Sequence, residues 1–308
     1  MKRLFIIGNG FDLAHKIPTR YLDYHAFLKS SPENEDFCMR MESTYGLGKS
    51  TDYWWRDFET NLGEGDAFET DFETMAECAI DEMVTDDGEE MYDVEDTLRY
   101  HFEPYYIFMN QLNKTVLQWV ESIDINSIKP IFKRINEKDS YFFTFNYTED
   151  LEKVYKIPAN KICHIHGSVA EKSVIMGHGN LAAIEKYQNE AYEKEERLDK
   201  NGAEISRGIY KFYMNSFKDT KKIVEINESI INHYMGVAEL HIFGHSLGNV
   251  DMPYFQEIKK HVLKTANWYF YVFCDKKELP EKRKELYKKI ECLRIKRKYV
   301  HVLQTTKF

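Results

Sequence analysis

The chain has 308 residues, 43% of them hydrophobic and 30% charged, with 15% aromatic, a balance that excludes collagen-like and disordered chains and is that of a globular protein with a substantial core. Its 51 acidic against 42 basic residues leave a net charge of −9, which disfavours general binding to nucleic acid or anionic lipid. Five dispersed cysteines without Cys-x-x-Cys spacing exclude a zinc ribbon or redox dithiol and fit buried thiols in a reducing compartment.

The first element, residues 4–7 (Leu-Phe-Ile-Ile), reads as a strand buried on both faces, too short for the apolar core of a signal peptide. It runs into Gly8-Asn9-Gly10 and then Phe11-Asp12-Leu13-Ala14. That layout is a strand–turn–helix in which glycine lets the backbone approach an anion and free amides at the helix N-terminus attract it. It also fits a tight connection with no ligand. Only two of the three dinucleotide-fingerprint glycines are present, and Asp12 would repel a phosphate. Pro18 and Thr19 imply a short first helix followed by a loop, from which Thr19, Tyr21 and Tyr24 can line a pocket.

Residues 59–123 carry apolar residues at helical spacing among many acids, most clearly Tyr106, Met109, Leu112, Val116, Leu117 and Val120. The next strand is 141–144, far beyond the interval of about thirty to forty residues in a plain doubly wound unit. The stretch 31–130 therefore reads as a helical insertion. Directly after strand 141–144 comes Phe145-Asn146-Tyr147-Thr148. In an open α/β sheet ligands sit outside the carboxyl ends of strands, so Asn146 stands where a ligand contact belongs, or caps the next helix.

Short strands at 162–165 and 174–176 are candidates to extend the sheet. Between them, His164 and His166 alternate onto one side of a strand, but no second ligand pair accompanies them, so no metal is expected and His166 reads as a general base near neutral pH. A second helical block spans 181–236 with a break near Asn201-Gly202. Strand 240–243 is followed by Gly244-His245-Ser246-Leu247-Gly248, which satisfies the G-x-S-x-G nucleophile elbow of serine hydrolases. The required acid and histidine would have to be Asp275 and His301, and His301 lies inside a weak terminal strand at 300–303. Otherwise Ser246 and Asp251 bind a ligand at a strand end, or Ser246 stabilises the turn. Strand 268–273 and a short basic helix at 281–290 complete the series. The acidic run 59–103 and the basic run 276–298 are read as solvated helix faces. No stretch is long and apolar enough to span a bilayer, and a cytoplasmic location is expected.

The runs IIGNGFDLAHKIPTRYLDY, YWWRDFETNL, FTFNYTEDLE, HIHGSVAEKSVIMGHGN and FGHSLGNVDMPYF, in this order, resemble the abortive-infection phage-resistance protein H (AbiH) family, which implies bacterial defence against phage. More distantly, their order resembles the sirtuin-like NAD-binding fold. That resemblance implies a Rossmann-like, mostly parallel α/β sheet with large helical insertions, formed by 1–30 and 131–308. Carried over by motif, it places Gly8, Gly10 and Thr19 near a nucleotide, Asn146 at the nicotinamide ribose, His166 as base, and Gly244 and Ser246 on the adenosine side. Asn9, Phe11 and Asp12 of the first turn, and Asp251, are further candidates to bind it. The expectation is NAD as substrate or ligand with no metal, cleaved at the nicotinamide–ribose bond. The alternatives are a non-catalytic nucleotide sensor and a serine hydrolase using Ser246. The lack of the sirtuin zinc module argues against deacetylation, and Asp12 is unexplained. A phage-derived trigger and a homo-oligomer are the partners this implies, with no membrane and no specific nucleic acid.

Overall fold

A computed structural model describes residues 1–48, 51–81, 103, 110–132, 135 and 138–305. Tyr106 and Met109 of the expected helical stripe lie outside them.

The apolar runs form strands as their composition requires. These are β1 Arg3–Ile7, β2 Ser140–Thr144, β3 Ile162–His164, β4 Gly167–Ser168, β5 Ser173–Val174, β6 Glu239–Phe243, β7 Asn267–Phe273 and β8 Val300–Thr305. Six build one sheet in the order β3-β2-β1-β6-β7-β8, every pair parallel. Leaving out the small β4–β5 ribbon and counting in chain order, this is 3-2-1-4-5-6, the doubly wound Rossmann order. Successive residues of β1 face opposite sides. Leu4 and Ile6 enter one apolar core with Leu240, Ile242, Trp268 and Phe270, whereas Phe5 and Ile7 enter another with Phe142 and Phe243. A sheet covered on both faces needs apolar residues at both parities, which is why its strands read as continuous hydrophobic runs.

One register row is aromatic across five strands. Phe142, Phe5, His241, Tyr269 and His301 are consecutive partners, with ring centroids 5.1, 5.1, 4.9 and 4.7 Å apart. Offset stacks at these separations add to the burial of each ring.

Two expectations are corrected. The segment at 174–176 does not extend the large sheet; β5 pairs antiparallel with β4. Gly167 turns the chain back at φ +77°, and a Cβ there would lie 2.2 Å from the Ser173 carbonyl oxygen, so the reversal requires glycine. The break in the second helical block falls at residues 197–199 rather than at Asn201-Gly202, between helices Leu181–Glu196 and Lys200–Asn215. Leu198 takes the left-handed conformation at φ +62°, and Asp199 caps the next helix by accepting from the Gly202 amide. Gly202 thus sits in a first turn, where its low helix propensity matters little.

By contacts the chain divides into two units. One comprises Met1–Asp23, Leu117–Ile175 and Asp219–Phe308 and holds the sheet; the other comprises Tyr24–Val116 and Met176–Lys218. The second unit is helical, with a core rich in aromatic residues (Trp54, Trp55, Phe58, Phe68, Phe212). Its Glu69 accepts from the hydroxyls of Tyr187 and Tyr213, each at 2.5 Å. Its Lys218, fully buried, pairs with Glu59 at 2.8 Å. Among the described residues no helix is long and apolar enough to cross a membrane.

Candidate functional site

The sheet reverses its winding between β1 and β6, and the loops leaving β1, β2, β3 and β6 meet beyond that point. Such a reversal opens a crevice at the carboxyl ends of the strands. Two glycine turns lie back to back there. Gly8 donates its amide to the Phe243 carbonyl at 2.9 Å, and Gly10 donates to the Gly244 carbonyl at 2.8 Å. A Cβ on Gly8 would come 2.6 Å from His245 Cα, and one on Gly10 equally close to Gly244 Cα. The glycines thus let two backbones touch, and both amides are spent on that contact.

Asn9 is exposed and clasps the loop beyond the short helix Asn9–Ala14. Its Nδ2 donates to the Thr19 carbonyl at 2.7 Å, and the Thr19 hydroxyl donates to its Oδ1 at 2.6 Å. Phe11 does not face the crevice. It is 1% exposed and packs on Phe132, His15 and Tyr155, so it is a core residue because its ring has no polar surface to offer. Tyr24 likewise is a buried core residue, of the second unit, hydrogen-bonded to Thr115.

Asp12 acquires a role. Buried, it accepts from Asn146 Nδ2 at 2.6 Å and from the Thr148 hydroxyl at 2.8 Å, joining the first helix to the loop after β2. Burial pushes its carboxyl up to about 6 against the pull of those donors. Asp150, buried beside it, is raised well above the ordinary carboxylate range by burial and by the Asp12 charge. Two carboxyls this close do not ionise together easily. The repulsion foreseen between Asp12 and a phosphate is thereby weakened, since the carboxyl is turned inward and partly protonated near neutral pH.

Asn146 is held at three points. Its side-chain amide binds Asp12, its backbone amide donates to the Thr144 hydroxyl at 3.1 Å, and its carbonyl faces His164 Nδ1 at 3.1 Å. His164 presents its other nitrogen to Glu152 at 2.8 Å. Burial works against its charge, but the Glu152 carboxylate and the Asn146 carbonyl outweigh it and raise its pKa. The two histidines of the alternating pair therefore serve different networks.

His166, 3% exposed, has Nε2 at 3.3 Å from the Tyr254 hydroxyl and 4.0 Å from Asp251 Oδ1. The other Asp251 oxygen is 3.3 Å from His245 Nε2, and His245 Nδ1 accepts from the Leu247 amide at 2.8 Å. Phe145 lies between the two rings, 5.4 Å from His166 and 4.2 Å from His245. One carboxylate therefore stands between two imidazoles against an aromatic wall. His245 and Tyr254 were not singled out in the sequence, although His245 sits inside the Gly244–Gly248 motif.

The hydrolase constellation does not assemble. Ser246 is exposed beyond the carboxyl end of β6, whereas His301 lies in the aromatic row at the level of His241 and binds Asn267 at 2.9 Å. The strained backbone of a nucleophile elbow is also absent from Ser246, since positive φ falls on Gly244 and Leu247. The Ser246 carbonyl instead receives Lys289 Nζ at 2.7 Å. Of the anticipated residues, Asn9, Gly10, Gly244 and Ser246 form a partly exposed rim, and Thr19, Asn146, His166 and Asp251 lie buried beneath.

Among the described residues, one set could hold a metal ion: His25, Cys38 and Glu42 of the second unit place their donor atoms within 4.8 Å of one another. The Glu42 Oε1 atom already meets His25 at 2.9 Å, Trp55 Nε1 at 3.2 Å and Lys29 at 3.4 Å, so the carboxylate has partners without a metal ion.

Comparison with known proteins gives one relation. The model of the family described as Bacteriophage abortive infection AbiH matches residues 4–272. No curated protein and no solved structure matches the chain.

Proposed function

Since the chain belongs to the AbiH family of bacteriophage abortive-infection proteins, we propose that this defence protein binds NAD in the crevice at the carboxyl ends of β1, β2 and β6 and hydrolyses its nicotinamide–ribose bond. The observation that carries the reading is the convergence, at the winding reversal of a Rossmann-ordered sheet, of the β1 and β6 glycine turns with Asn146 and a carboxylate-flanked His166. The order of these motifs also resembles, distantly, that of the sirtuin-like NAD-binding fold.

In this mechanism the bond to nicotinamide breaks first, leaving an oxocarbenium-like ribose that water captures. His166 takes the proton from the attacking water or from a ribose hydroxyl, and Asp251 stabilises the imidazolium that forms. Asp12, accepting from Asn146 Nδ2, fixes the orientation of the side-chain amide. The amide oxygen is then the atom that receives the ribose or the water. No metal takes part.

Nicotinamide release from NAD by the purified protein tests the reading. His166→Ala should lower turnover by roughly 10²–10⁴, and Asn146→Ala should lower it comparably. Turnover unchanged in His166→Ala would refute the assignment. One observation favours a second reading, a nucleotide sensor without chemistry: the Gly8 and Gly10 amides are committed to β6, which suits a rigid binding turn. Calorimetric binding of NAD or ADP-ribose with no nicotinamide released would establish that reading instead.

A further inference from the structure

The basic run near the end of the chain was read as a solvated helix face. Its structure is more specific than that. Helix Leu279–Lys289 and the turns that follow it enclose an open cavity of about 590 Å³ on the sheet-bearing unit, lined by Arg283, Lys284, Lys288, Arg294 and Arg297, with Glu291 the one acid of its wall. Among the described residues none of these five cations enters an ion pair within 4.0 Å, although neighbouring Lys282 is matched by Glu285 at 3.0 Å. Arg294 holds a left-handed backbone at φ +47°, and Arg297 lies over the Tyr287 ring at 4.7 Å.

A chain of net charge −9 gains nothing from concentrating five unmatched cations around one concavity unless an anion offsets their repulsion. Like charges at these spacings oppose one another, and a concave wall of one sign focuses the field. Guanidinium groups favour phosphate because their paired donors match its oxygens. The volume suits a small molecule, since ligand cavities are about 300–1,000 Å³.

We propose that this groove binds a phosphate-bearing ligand of nucleotide size, at a site separate from the β1–β6 crevice. Lys289, on the same helix, holds the Ser246 carbonyl of the crevice rim and is left out of the site.

Calorimetric titration with ATP tests the proposal, with tripolyphosphate, adenosine and an eight-nucleotide single-stranded DNA as further arms. The comparison variant is Arg283→Glu/Lys284→Glu/Lys288→Glu, three exposed positions whose substitution leaves folding intact, checked by circular dichroism. ATP and tripolyphosphate should bind at one site with affinity that falls as salt rises, adenosine should not bind there, and the triple variant should bind both at least tenfold more weakly. Tripolyphosphate carries no adenosine for the crevice to hold, so its arm is independent of the crevice assignment. Affinity unchanged in the variant, or no saturable binding by the wild type, would overturn the proposal. Single-stranded DNA binding more tightly than ATP through the same residues would overturn the small-ligand assignment in favour of nucleic-acid phosphates.

Discussion

Gly244→Ala measures what the back-to-back glycine turns contribute. At φ +63° an alanine costs roughly 1–2 kcal/mol from its own Cβ against the following carbonyl. The new methyl would also lie 2.4 Å from the Phe11 amide nitrogen and 2.5 Å from the Gly10 carbonyl carbon. These are backbone atoms that cannot rotate aside, so the strands must separate slightly, an overpacking penalty of about 1–3 kcal/mol. The expected loss is about 2–5 kcal/mol, a large fraction of the roughly 5–15 kcal/mol that holds a domain folded. Gly236→Ala is the internal control, because Gly236 has φ +81° but nothing within 4 Å of where its Cβ would stand, leaving only the conformational part. Urea unfolding of both variants, compared at matched slope, reads the difference as a shift in midpoint. If the two lose equal stability, the close approach of the turns is not what requires glycine, and the reasoning fails.

Three further outcomes follow from the same structure. The Asp12 carboxyl is raised from 3.8 to about 6, so the folded state binds its proton more tightly than the unfolded state. Its contribution is full below about 4 and is lost as pH rises through 6, about 3 kcal/mol at one pKa unit per 1.4 kcal/mol. Urea midpoints between pH 4 and 7 should show that decline, and Asp12→Asn should make it shallower, buried Asp150 supplying the remainder; an unchanged slope would place the buried proton elsewhere. In the second unit, Glu59→Gln removes a carboxylate from the buried Lys218 ammonium and should cost up to about 3–5 kcal/mol. The pair Glu59→Gln/Lys218→Met should recover most of it, a comparison that thermal unfolding makes directly. Finally, a fluorophosphonate probe should leave Ser246 unlabelled by intact mass, since His301 sits in the aromatic row; labelling abolished by Ser246→Ala would restore the hydrolase reading.

The strands were legible because a sheet covered on both faces leaves no polar parity to interrupt the apolar runs, and all six of the large sheet were located to within a residue or two. The positions of Asn146, His166 and Gly244 at strand ends followed from the same reading. Less visible were relations that depend on distant chain. Asp12 seemed hostile to its own motif because its partners, Asn146 and Thr148, stand 134 and 136 residues away. The His245–Asp251–His166 arrangement required the loops after β3 and β6 to meet, which no local pattern encodes. Phe11 fell inside a motif and was credited with its function, although its ring obeys the hydrophobic core. The basic run gave its charge to composition but not its concavity, which arises only where the last helix and the turns after it fold together.

The position of β1 at the centre of the sheet also governs when the protein can come into being. Arg3 pairs with Ser140 on one side and Glu239 on the other, so the earliest of these strands to be synthesised must wait for chain far downstream. At translation rates of roughly 5–20 residues per second, β1 spends on the order of 10–50 s before β6 emerges, exposing an apolar strand edge throughout. Until residues 239–246 have emerged, the crevice has only the β1 turn for a wall, so the site cannot assemble while the chain is being made.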